Sequence, residues 1–253
     1  MRPTIYLVTA LLLVSAGTLR GQTLARRIAE VKNGTARMTF AARPGVCGDG
    51  RHNISISARD GHRGEWGSDC EDGPVRVALD RSGGRTIALR AYVGGHWQSG
   101  DAVDLGTVPA KEAAEWLIVL AESDEMASDD AVFPATLADS VEVWPALLRI
   151  ARNDHSSNKA RRSAIFWLGQ AAGEAATRGL DSIVGDPKGD REVREAAVFA
   201  LSQRPKEEGV PALIRVVRGN PDPELRKKAL FWLGQSGDPQ ALALFEELLT
   251  KGR

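Results

Sequence analysis

The chain has little of what most enzymes use for chemistry. It holds 2 cysteines and 4 histidines in 253 residues. Cys47 and Cys70 are too few for a four-cysteine or Cys₂His₂ zinc site without help, and the histidines are scattered. Asp49, His52, Asp60, His62 and Asp69 lie near the cysteines, but their spacing fits no metal motif. Aspartate and glycine gather there as turn formers, so no metal and no cofactor is expected. No Gly-x-Ser-x-Gly, His-Glu-x-x-His or phosphate-loop motif occurs, and the chain reads as a non-enzyme. Neither sign of charge prevails, with 33 Lys and Arg against 33 Asp and Glu. A general nucleic-acid binder is thereby disfavoured, because its affinity comes largely from neutralising phosphates. Long apolar runs are missing too. The apolar run at residues 5–14 is about half of the ~20 residues a membrane span needs.

That short run does have a reading. Arg2 precedes it and Ser15, Ala16 and Gly17 follow it, which is the layout of a secretory signal peptide over residues 1–22. The chain is then expected to be exported, periplasmic or secreted, with no membrane span after cleavage. An oxidising compartment favours a Cys47–Cys70 disulfide, and closing a loop of that length contributes about 3 kcal/mol.

Residues 23–107 read as a small β-rich domain with one short helix. Residues 23–33 are amphipathic, with Thr23 as a cap and Asn33 and Gly34 as a stop. Strands are expected at 35–41, 53–58, 74–80 and 85–93. Val75, Val77 and Leu79 share one face, as do Ile87, Leu89 and Ala91. Gly83 and Gly84 between the last two strands predict a hairpin. Residues 108–110 mark a boundary, after which the pattern is helical to the end.

The helical part repeats. RRSAIFWLGQ from Arg161, REAAVFALSQ from Arg194 and RKKALFWLGQ from Arg226 align without gaps, at spacings of 33 and 32 residues. A companion helix recurs at the same period, aligning Leu147, Leu180, Leu213 and Phe245. Each unit is therefore two helices. Ser157, Asp190, Asp222 and Asp238 stand at helix starts, the last two before prolines suited to the first helical position. A weaker unit precedes these, with Pro134 in its second helix.

These segments resemble HEAT-like repeats, especially the short type named after phycobilisome lyases. That pattern runs from an acidic cap through an aliphatic-Arg pair and two alanine positions to Leu-Gly. DPELRKKALFWLG from Asp222 and DREVREAAVFALS from Asp190 follow it closely; the copy from Ser157 departs at the cap and at Ala160. The resemblance covers residues 111–253 and implies an α-solenoid of about four repeats, so the whole chain is expected to be α+β. It also implies that the second helices line an inner, concave surface. The family includes bilin lyases, but nothing outside the repeats matches that chemistry here.

Helical phase then divides the second helices into faces. Arg161, Ala164, Ile165 and Leu168 form a core stripe. Phe166, Phe199 and Phe231 point the other way, followed one turn later by Gln170, Gln203 and Gln235. Arg162 and Lys227 border this row, with Glu195 at the equivalent place in the middle copy. The row is a candidate surface for a protein or peptide partner; the competing reading packs the Phe rings against neighbouring helices. Trp167 and Trp232 are expected to pack between repeats. Arg161, Arg194 and Arg226 recur inside the apolar stripe and need partners, for which the cap acids Asp190 and Asp222 are candidates. The function expected is an exported binding scaffold. The alternatives are a lyase- or isomerase-type enzyme using the solenoid as a cradle, and a structural envelope component.

Overall fold

The computed structural model describes residues 23–51, 53–56, 70–171 and 173–251. The expected signal peptide lies outside them. Helix α1 (Leu24–Glu30) buries Leu24 and Ile28, one turn apart. It ends before Asn33, because Val31 is already extended and Gly34, at φ 93°, opens strand β1 (Gly34–Phe40). Strand β1 alternates cleanly, with Ala36, Met38 and Phe40 buried. It pairs antiparallel with β5 (Val75–Ser82), which pairs antiparallel with β6 (Arg85–Val93). Strand β7 (Val103–Thr107) runs parallel to β1, giving the order β6-β5-β1-β7.

The β5–β6 turn forms at Gly83 and Gly84, at φ 57° and 79°, the positive values a tight hairpin with native twist needs. One expectation fails just beyond it. Ile87 faces solvent and Thr86 is buried, because the register shifts: Asp80 faces Ala88 but Arg81 faces Thr86. The extra residue is a β-bulge, and it reverses the inward face at that end. The bulge brings Thr86 Oγ1 to Arg81, which donates to it at 2.7 Å and to the Val31 carbonyl at 3.2 Å. A buried guanidinium thus finds acceptors that an unbroken ladder would not supply.

A second sheet, in the order β3-β2-β4, contains β2 (Val46–Gly48), β3 (Ile54–Ile56) and β4 (Glu71–Asp72). The Cys47–Cys70 disulfide joins β2 to the residue before β4, with Cα atoms 5.3 Å apart. Ile54 and Ile56 share a face, and residues 57 and 58 of the expected strand lie outside the described residues.

The helical part contains α2 (Ala110–Ala121), α3 (Ser128–Ala135), α4 (Trp144–Arg152), α5 (Asn158–Gln170), α6 (Glu174–Val184), α7 (Arg191–Ser202), α8 (Lys206–Gly219), α9 (Pro223–Ser236) and α10 (Pro239–Lys251). The hairpins are α2/α3, α4/α5, α6/α7 and α8/α9, with α10 a half-unit. Second helices α3, α5, α7 and α9 stack in sequence, and so do first helices α4, α6, α8 and α10. The turns between paired helices are cut to one template. Asn153, Asp186 and Asn220 each accept, through Oδ1, from the backbone N–H two residues on, all at 3.0 Å.

Sheet and solenoid share one hydrophobic cluster. Val108 is buried and donates to the Thr39 carbonyl at 2.8 Å, so residues 108–110 are packed rather than a free linker. Arg43 N donates to Leu137 O at 2.8 Å and Asp139 N to Ala41 O at 3.0 Å, tying the end of β1 to the loop after α3. The first unit, α2/α3, is thereby covered by the sheet. A repeat array needs such a cover, because its end unit has no neighbour to bury against.

Candidate functional site

The site is built on the starts of the second helices. Ser157 Oγ accepts from Ala160 N at 3.0 Å, Asp190 Oδ1 from Val193 N at 3.1 Å, and Asp222 Oδ1 from Glu224 N at 2.9 Å. Each cap satisfies an otherwise orphaned N–H and fixes where its helix begins. With the start fixed, helical phase settles every later side chain. Ala164, Ile165 and Leu168 are fully buried, as are Ala197, Val198 and Leu201.

The recurring arginines do work inside each hairpin. Arg161 Nε donates to Ala151 O at 3.4 Å, Arg194 Nε to Val184 O at 3.2 Å, and Arg226 Nη1 to Asn220 O at 2.7 Å. These carbonyls lie at the C-terminal ends of α4, α6 and α8, where backbone acceptors are unpaired and a cation is favoured. The expected acid partners need correction. Arg194 does meet Asp222 at 3.7 Å, but Arg161 pairs with Asp154 at 3.2 Å rather than with Asp190. Arg226 is only half-buried.

The opposite face of these helices is open. Phe166, Phe199 and Phe231 are 43%, 37% and 58% exposed, values far from those of core residues. Gln170, Gln203 and Gln235 are exposed one turn later. The tryptophans back the phenylalanines from between the repeats. Trp167 stacks on Phe133 at 5.1 Å and meets Phe166 edge-on at 5.0 Å. Trp232 lies 5.1 Å from Phe199 and 5.0 Å from Phe231. The aromatic row is therefore two triads, Phe133–Trp167–Phe166 and Phe199–Trp232–Phe231. Between them Ala200 replaces tryptophan. A Cβ on Gly169 would stand 3.2 Å from the Ala200 Cβ, so α5 and α7 approach too closely there for a large side chain.

Two residues of this region escape a reading by face. Phe133 stands 33 residues before Phe166, and the repeat period alone could have found it. Arg204, just past α7, is buried and unrepeated. It donates to Thr177 Oγ1 at 2.8 Å, Gly173 O at 3.0 Å, Ala171 O and Glu208 Oε2 at 2.8 Å. Hydrogen bonds from Thr177 first, then from Arg204, hold the Glu208 carboxylate below its ordinary pKa.

Ion pairs border the row and link its helices. Arg162 pairs with Glu192 at 2.8 Å, Lys159 with Asp130 at 3.0 Å, and Lys228 with Glu195 at 3.3 Å. Such exposed pairs contribute little stability and exchange readily. Lys227 is exposed.

In the β half, Asp49 is the described member of the acidic and histidine cluster near the cysteines; His52, Asp60, His62 and Asp69 lie outside the described residues. Its carboxylate accepts from Arg51 N at 2.8 Å and from Asn53 N at 3.1 Å, the Arg51 bond first lowering its pKa. These are turn bonds. Among the described residues no group of three His, Cys, Asp or Glu is placed to hold a metal ion, and no helix is long and apolar enough to cross a membrane.

A search of curated proteins finds no match to this chain. The family model for HEAT repeats matches residues 182–253, the stretch from the end of α6 through α10. The arginine caps, the aligned turns and the stacked hairpins continue the same design N-terminally of that stretch. The C-terminal part of the chain is a HEAT-like repeat structure.

Proposed function

We propose that this chain is an exported, non-enzymatic scaffold that holds a protein or peptide partner on the second-helix face of its HEAT-like repeats. The three exposed phenylalanines, Phe166, Phe199 and Phe231, carry the reading. Each phenylalanine sits at the same repeat position, opposite a complete core stripe, so its exposure is not a packing failure. Contiguous exposed apolar surface bordered by polar groups is the usual character of a binding site. The rings are also held in place by tryptophans, which reduces the entropy cost of ordering them on binding. The glutamines supply donors and acceptors that orient a partner's backbone. A partner segment with two apolar anchors, one per triad, and a small or polar stretch over Ala200 would match the spacing.

The same face offers little to acid–base chemistry. Its titratable groups are Arg162, Glu195 and Lys227, with no histidine or cysteine beside them, which favours a scaffold over a lyase or isomerase. Export is supported by the apolar run at residues 5–14 and by the disulfide, which persists in oxidising compartments. The cap–Arg–Ala–Leu-Gly spacing supports the short repeat type named after phycobilisome lyases, as a description of repeat architecture only.

A photo-crosslinking residue placed at Gln203 or Gln170 in the native host tests this. The scaffold reading expects a discrete crosslinked polypeptide at both positions, none at Lys188, and loss of both products with Phe199→Asp. Equal crosslinking at Lys188, or products indifferent to Phe199→Asp, would remove the second-helix face from consideration.

A further inference from the structure

The outer face of the four-stranded sheet holds a second site, unrelated to the repeats. Strand alternation sends Thr35, Arg37, Arg76, Ala78, Arg90 and Tyr92 away from the core. Residues 96–102 fold over them, anchored by Arg76 Nη1 to His96 O at 2.7 Å, Arg37 Nη1 to Gln98 O at 3.2 Å and Trp97 Nε1 to Thr39 Oγ1 at 3.3 Å. The cavity left between has a volume of about 650 Å³. That lies within the ~300–1,000 Å³ of small-molecule sites.

Four guanidinium groups line it, from Arg37, Arg51, Arg76 and Arg90. Two are neutralised. Arg90 forms a fork with Asp80 at 2.8 and 3.0 Å, and Arg37 meets Asp104 at 3.0 Å. Arg51 and Arg76 have no carboxylate partner among the described residues, and Asp101, the acid lining the cavity, is exposed. Arg76 is the unusual one. It is 5% exposed, and its Nε has no hydrogen-bond partner. It donates to His96 O and, at 2.6 Å, to Gly50 O. Tyr92 and Trp97 lie 5.3 and 4.9 Å from its guanidinium carbon. The ring faces ease the charge without supplying a counter-ion. Burial pushes Arg76 below its ordinary pKa, against an opposing influence from Tyr92.

This position is built. A Cβ on Gly50 would lie 2.9 Å from Gly95 Cα, and one on Gly95 would lie 3.2 Å from Arg76 Nη2. Two glycines, both at positive φ, thus let the backbones cross and bring the Gly50 carbonyl onto Arg76. A buried cation without a counter-ion is costly, and a planar guanidinium with free N–H groups is suited to oxyanions.

We propose that this cleft binds a small organic anion, its carboxylate or phosphate group held by Arg76 and Arg51 and its body against Tyr92 and Trp97. Calorimetric titration of the full-length protein at constant ionic strength tests it, with benzoate, phenyl phosphate, acetate and inorganic phosphate as probes. The expected result is saturable binding of at least one ring-bearing probe, tighter than its ringless counterpart. Benzoate outbinding phenyl phosphate assigns a carboxylate head group, and the reverse order a phosphate. R51Q, at an exposed position, should weaken binding about tenfold with the ligand-free unfolding midpoint unchanged. R76K, which keeps the charge but loses the fork, should weaken it comparably. No saturable binding of any probe, or binding that R51Q leaves untouched, would overturn the proposal.

Discussion

The two halves of this chain bury arginines by opposite strategies. In the helical half Arg161 and Arg194 repeat one arrangement, each turned through Nε onto a carbonyl at the end of the preceding helix, and Arg226 turns to the carbonyls just past α8. In the β half each buried arginine among the described residues has its own solution. Arg81 uses a bulge and a threonine, and Arg76 a glycine crossing and two rings. Repetition separates what the fold needs from what it does not. The core stripe and the carbonyl contacts recur because each hairpin requires them. The exposed phenylalanines also recur, yet they stand outside the core stripe, and that marks them as candidates for function. In the β half there is no second copy to compare, so an odd feature such as Arg76 must be judged by its own electrostatics.

Substitutions can break or sharpen this contrast. The largest effect is expected at Arg204, the buried arginine of the helical half that does not repeat. Arg204→Ala strands the Glu208 carboxylate and several backbone acceptors, and chemical denaturation should show a loss of about 4 kcal/mol. Next comes the β half's covalent tie. Replacing both Cys47 and Cys70 by serine should cost about 3 kcal/mol, with the loss reproduced in the unmodified protein by reductant. The ladder should then grade by burial: about 2 kcal/mol for Arg194→Ala and about 1 kcal/mol for half-buried Arg226→Ala. Equal costs would mean that the carbonyl contacts, rather than burial, set the energy.

A smaller effect concerns acid. The Glu208 carboxylate is held below its ordinary pKa in the folded state by Thr177 and Arg204. The unfolded chain therefore binds this proton first as pH falls. The stabilisation is complete at neutral pH and fades as pH drops through and below the ordinary carboxylate range. Unfolding midpoints of Glu208→Gln should accordingly lie below those of the parent at pH 7 and converge on them in acid.

How much of this was legible in the sequence follows from the same contrast. Helix starts, the core stripe and the outward Phe/Gln row could be read because capping residues fix the phase and each copy checks the others. Phe133 was overlooked because Pro134 and the weak first unit obscure the alignment, although the period points to it. In the β half, β5 and β6 and their glycine turn were legible from alternation. Strands β2, β4 and β7 were not, since β2 and β4 are two or three residues long and β7 buries only Leu105. The bulge at Ile87 was invisible because the acceptors it brings to Arg81 converge only in the folded sheet. The Arg76 cleft was missed for the same reason: Gly50, Arg76 and Gly95 converge only once the sheet is folded.

The most direct test of the central claim, that the aromatic row is surface rather than core, is the unfolding free energy of Phe199→Asp. The account predicts a loss of no more than about 1 kcal/mol, as for a surface substitution that gives up one ring contact with Trp232. A loss of about 3–5 kcal/mol, the cost of emptying a core phenylalanine site, would show that the row holds the repeats together and is not there to hold a partner.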